Sequence, residues 1–102
     1  MNNPYILLFE TPEKDEVLVN FEEVVRNKFI SIKSNKNSIL VSVPEKMTAQ
    51  EIHNQITSKM NTEFAFLVIP LNYFYGRLNT NVWEWLKETF PNRTYNLKSD
   101  NN

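Results

Sequence analysis

The sequence predicts an α+β domain in which helices lie on a sheet, and three observations carry that prediction. Apolar residues recur at helical spacing in three separate stretches, alternate with period two in two others, and run uninterrupted through residues 64–71. Amphipathic helices need an apolar surface to lie on, and strands of either pattern provide one. The uninterrupted stretch, Phe64-Ala65-Phe66-Leu67-Val68-Ile69-Pro70-Leu71, is expected to be a fully buried central strand, because a strand wetted on one face would alternate.

Residues 5–9 form a compact apolar run and predict the first strand, lying centrally beside residues 64–71, with Pro4 at its entrance where the missing amide hydrogen does least harm. Thr11-Pro12-Glu13 predicts a helix start, since a hydroxyl caps free backbone amides and proline suits the first helical position. Val17, Leu18, Phe21, Val24 and Val25 then share one face, with Glu22, Glu23 and Arg26 on the other. Residues 29–33 and 38–43 alternate, Ile30 and Ile32 marking the first and Ile39, Val41 and Val43 the second. Ser34-Asn35-Lys36-Asn37 between them makes the pair an antiparallel hairpin.

Thr48-Ala49-Gln50-Glu51 has the spacing of a capping box, and Ala49, Ile52, Ile56 and Met60 mark the helix that follows it. A loop is expected around Asn72, Gly76, Asn79 and Asn81. A third helix follows, carrying Val82, Trp83, Leu86 and Phe90 on one face and ended by Pro91. Residues 93–97 are expected to add a short edge strand and 98–102 to fray, giving one domain over 1–97 and a tail. This is the ferredoxin-like βαββαβ order, an antiparallel sheet with two helices on one face, plus a C-terminal helix. The other sheet face needs cover, from that helix or from a second subunit.

With 102 residues, 41% of them hydrophobic, the chain has enough apolar surface for one core and no room for a second domain. Eleven basic and twelve acidic side chains are interspersed, for a formal net charge of -1, so nothing draws the chain generally to nucleic acid or anionic lipid. Absence of cysteine removes disulfide and thiolate chemistry, and His53 as the sole histidine disfavours zinc, copper and haem while leaving an oxygen-ligated Mg²⁺ open. No apolar run approaches the roughly 20 residues that span a bilayer, so a cytoplasmic protein is expected.

Phe9-Glu10, Ser38-Ile39-Leu40-Val41, Ala49-Gln50-Glu51-Ile52, residues 64–71 and Trp83-Glu84-Trp85-Leu86-Lys87 together resemble the small CRISPR-associated ferredoxin-like endoribonuclease family and its non-catalytic relatives. The resemblance implies a homodimer in which a C-terminal strand joins the partner's sheet, with residues 93–97 as the matching segment. Nuclease members end the first strand in a tyrosine-aspartate pair whose aspartates, one from each subunit, hold a metal ion. Phe9 and Glu10 stand there in this chain. Glutamate keeps a carboxylate that binds Mg²⁺, but its extra methylene moves it.

Glu10 is therefore the candidate catalytic and metal-ligating residue of an endoribonuclease, generating a nucleophilic water on the metal. The plainer expectation is a solvated carboxylate near a helix start. Tyr73, Phe74, Tyr75 and Arg77 combine stackable rings with a cation, as single-stranded nucleic acid binding requires, although the same composition serves a core edge or subunit contact. Trp83 and Trp85 lie about 200° apart on a helix. Trp83 is expected in the core, and Trp85 on a partner surface with Tyr73, Tyr75 and Arg77. His53 is expected to be half-buried and satisfied. The single glycine excludes a phosphate-cradling or dinucleotide loop.

These features favour a small non-enzymatic protein–protein interaction module of a bacterial or phage system, homodimeric and without cofactor, presenting sheet edge and aromatic surface to a protein. The alternatives are the Mg²⁺-dependent endoribonuclease and a phage-encoded inhibitor of a host machine.

Overall fold

The computed structural model describes residues 2–72 and 79–91. Elements follow in the order β1 (Asn2–Phe9), α1 (Asp15–Lys28), β2 (Ile30–Asn35), β3 (Ser38–Pro44), α2 (Ala49–Thr57), β4 (Phe66–Pro70) and α3 (Thr80–Thr89). The four strands form one antiparallel sheet in the order β2-β3-β1-β4, so the fold is α+β with three helices. No described helix is long and apolar enough to cross a membrane.

Strand periodicity divides the core in two. Tyr5, Leu7 and Phe9 of β1 and Ile39, Val41 and Val43 of β3 point to a first face, where Phe21, Val24 and Val25 of α1 and Ile52 and Ile56 of α2 bury them. Phe21 is the hub. Its ring lies 5.1 Å from Phe9, 4.4 Å from Phe64 and 5.0 Å from Phe66, in edge-on and tilted arrangements that suit the aromatic quadrupole. On the second face, Leu40 of β3 packs with Val82 and Leu86 of α3 and with Phe90 just beyond it, flanked by Ile6, Ile32 and Leu71. The second face is thus covered in part by the chain's own C-terminal helix.

That cover explains why β3 is buried at every position but Pro44, although its sequence alternates in the manner of a half-wetted strand. Its second-face serines are satisfied locally: Ser38 shares a hydrogen bond with Ser34, and Asn2 Nδ2 donates to Ser42 Oγ at 2.9 Å. Interior position belongs to β1 and β3. Residues 64–71, expected at the centre and buried on both faces, instead contribute β4 at the sheet margin, where only Phe66 is buried and Leu67 is 64% exposed. The run pairs with β1 alone, and Pro70 is compatible with that place; Pro4, expected at the entrance of the first strand, instead lies within interior β1, opposite Ser42.

The helix starts divide likewise. Thr48 Oγ1 accepts from the Glu51 amide at 3.1 Å while Glu51 Oε1 accepts from the Thr48 amide at 2.8 Å, the reciprocal capping expected for α2. Thr11 does not cap α1. That helix begins at Asp15 with Lys14 at its N-cap and no side-chain cap, and Asp15 and Glu16 place negative charge at its positive end. Thr11 Oγ1 is engaged elsewhere, accepting from Asn37 Nδ2 at 3.1 Å. Residues 93–97, the expected edge strand, lie outside the described residues.

Phe21→Ala is expected to cost about 3–5 kcal/mol, since it empties the centre of the first-face core. Thr48→Ala should cost about 1 kcal/mol and Thr11→Ala less. Urea unfolding followed by circular dichroism measures all three.

Candidate functional site

Two described surfaces could carry function: the carboxylate-bearing end of β1 and the bare strip of the second face. At the end of β1, Phe9 N–H donates to Asn37 C=O at 3.0 Å. Asn37 Nδ2 donates back to Phe9 C=O at 2.9 Å and to Thr11 Oγ1 at 3.1 Å. The hairpin turn therefore grips the chain on both sides of Glu10. Glu10 itself is exposed. It borders an open groove of about 450 Å³ with Thr11, Glu13, Lys14, Glu63 and Phe64. It also borders a second groove, of about 370 Å³, with Leu8, Phe9, Ala65, Phe66 and Leu67.

The three carboxylates that share the first groove do not close into a ligand set, and the described residues hold no group of three or more His, Cys, Asp or Glu able to bind a metal ion. Glu10, the expected metal ligand, thus belongs to no such group among the described residues.

The second groove opens onto the strip of the second face that α3 leaves bare. Leu8 and Leu67 are cross-strand partners, 37% and 64% exposed, and Ile69 beside them is half-buried. The outer margin of β4 continues this strip. Leu71 N–H donates to Pro4 C=O at 3.0 Å. Inward bonding recurs at every second residue of an antiparallel ladder, so Ile69 and Leu67 also aim their main chain at β1, while Phe66, Val68 and Pro70 turn theirs outward. No described strand pairs with that side.

Of the residues expected on a partner surface, Tyr73, Tyr75 and Arg77 lie outside the described residues. Trp85 is half-buried against the second-face core, with its ring edge-on to Phe90 at 5.9 Å and 71°. Trp83, expected in the core, is only half-buried, but its Nε1 is enclosed without a hydrogen-bond acceptor among the described residues. His53 is half-buried, stacked on Phe66 at 4.5 Å with Nδ1 3.5 Å from Thr57 Oγ1. Leu8, Leu67 and Asn37 were not expected to matter.

Compared with protein-family models, with the curated proteins and with solved structures, the chain matches none.

An enclosed donor without an acceptor destabilises the fold that contains it. Trp83→Phe removes that donor and keeps much of the ring, so its cost in urea unfolding should stay below about 1 kcal/mol, against about 3–5 kcal/mol for Trp83→Ala.

Proposed function

We propose that this protein is a non-enzymatic protein–protein interaction module whose working surface is the outer margin of β4 with the aliphatic strip beside it. The observation that carries this reading is Leu67, 64% exposed in a strand that has outward main-chain groups at Phe66 and Val68. Residues 64–72 contain no charged side chain. An uncharged, hydrophobic margin is ordinarily avoided, because it invites pairing with another chain. Strand addition turns that liability into binding, with main-chain hydrogen bonds giving affinity and side-chain pockets giving selectivity.

The contrast with the opposite margin supports the same reading. Lys33 projects from β2, where it meets Glu22 Oε2 at 2.6 Å, and the β2–β3 register slips between Lys33 and Asn35. A lysine and an irregular ladder are two recognised ways of blunting a margin. On β4 only Pro70 acts in this sense, and it removes one donor at the end of the strand.

The element order β1-α1-β2-β3-α2-β4 and the strand order β2-β3-β1-β4 support reading the fold as ferredoxin-like, with α3 added. The family resemblance implies two copies. Antiparallel self-pairing centred on Leu67 would set Phe66 of one copy opposite Val68 of the other and pair the outward groups of both, so a homodimer and a separate partner would compete for one margin.

Leu67→Lys is the test. The substitution replaces an exposed side chain, so stability should change by no more than about 0.5 kcal/mol. Affinity capture read by mass spectrometry should lose the partner recovered with the parent chain, and light scattering should show any dimer of the parent fall to monomer. A partner retained by Leu67→Lys refutes the proposed surface.

A further inference from the structure

We infer that the outer margin of β4 takes an extended segment of a different protein as a fifth strand, and that this segment carries an apolar residue two positions from a lysine or arginine. This partner chemistry rests on β4 being an interaction margin, as proposed above, and adds what the margin selects.

Adding a strand antiparallel to β4 fixes which side chains meet. Phe66 and Val68 offer the outward N–H and C=O groups, so the incoming residue opposite Leu67 occupies a non-hydrogen-bonded position, where opposed Cα atoms approach to about 4.5 Å. Its side chain lands on the second face, over Leu67 and Leu8, and must be apolar to cover them. The incoming residue two positions on, opposite Ala65, points to the same face. Ala65 leaves room there, and Glu10, which continues β1 past the Phe9–Phe66 pair, borders the same groove as Leu8, Ala65 and Leu67.

Charge then names the second residue. Among the described residues, Glu10, Glu13 and Glu63 line the adjoining groove with Lys14 as the one basic side chain there. A cation opposite Ala65 would meet this excess, and a carboxylate there would be repelled. A second copy of the chain cannot supply that cation from β4, since residues 63–72 include no lysine or arginine. Self-pairing of β4 therefore does not complete this margin.

Selection of random peptides displayed on yeast, using the intact chain as bait, tests this directly. Enriched sequences should carry the apolar-x-Lys/Arg pattern. The best of them, synthesised and titrated by calorimetry, should bind Glu10→Lys about five- to tenfold more weakly than the parent. It should not bind Leu67→Lys, and its affinity should fall as salt rises. Both variants must melt as the parent does. Enriched peptides that need Leu67 but lack the basic residue, or are indifferent to Glu10→Lys, overturn the partner chemistry and leave the interaction margin standing. A parent dimer that Leu67→Lys splits, with no peptide enriched, overturns it in favour of self-pairing. No enrichment, no dimer and no partner dependent on Leu67 remove the margin itself along with the inference.

Discussion

Packing of Phe21 against Phe9, Phe64 and Phe66 is the constraint from which the rest of the structure follows. One α1 side chain touches the end of β1, the start of β4 and the segment leading into it, and so holds the last strand of the sheet against the first. Burial of rings of this size dominates core energetics. It also sets the facing of the strands. With Phe9 and Phe66 turned toward α1, strict alternation turns Leu8 and Leu67 to the opposite face. Their exposure follows from the same packing that makes the first-face core.

Coverage of that opposite face is incomplete for a geometric reason. A sheet of four strands at about 4.8 Å spacing is wider than one helix of about 10–12 Å diameter. Among the described residues, α3 lies over Leu40, Ile32 and Ile6, which belong to β3, β2 and β1, while Leu8 and Leu67 toward the β4 side stay exposed. On the same face Ile30, at the start of β2, is also left open, at 64% exposure. Its neighbours on that face are half-buried Ile32 and buried Ser42. Leu67 adjoins Leu8 and an unpaired strand margin, so its exposure is part of a continuous surface.

The helices were legible because their signals are local. Thr48 and Glu51 stand three residues apart and cap one another whatever the rest of the chain does, and the apolar stripe of Phe21, Val24 and Val25 is buried as its spacing requires. Strand position was less legible, because it depends on neighbours remote in sequence. Residues 64–71 and residues 38–43 have different patterns, yet the alternating one is buried at nearly every position and the continuous one is a margin. An apolar run reports what a strand can tolerate. It does not report whether a second face will be covered, and for β4 it is not. Placing β4 beside β1, with β3 on the other side of β1, already leaves β4 only a margin to occupy. Thr11 failed as a cap for a similar reason, since Asn37, twenty-six residues away, competes for its hydroxyl.

Asn37 also links fold to site. Free glutamates at strand ends sample many orientations, and holding one in place on binding costs entropy. Here the residues on both sides of Glu10 are tied by one amide group, Phe9 through its carbonyl and Thr11 through its hydroxyl, while the Phe9 amide returns to the Asn37 carbonyl. The main chain on both sides of Glu10 is thereby held by the hairpin turn, which leaves mainly the Glu10 side-chain rotamers to be ordered. The turn residue that closes the β2–β3 hairpin thus presents an acidic group at the rim of the β4 groove. Hairpin, central strand and margin are tied together by these bonds, and under the proposed strand addition little free energy would go into ordering the surface that receives it.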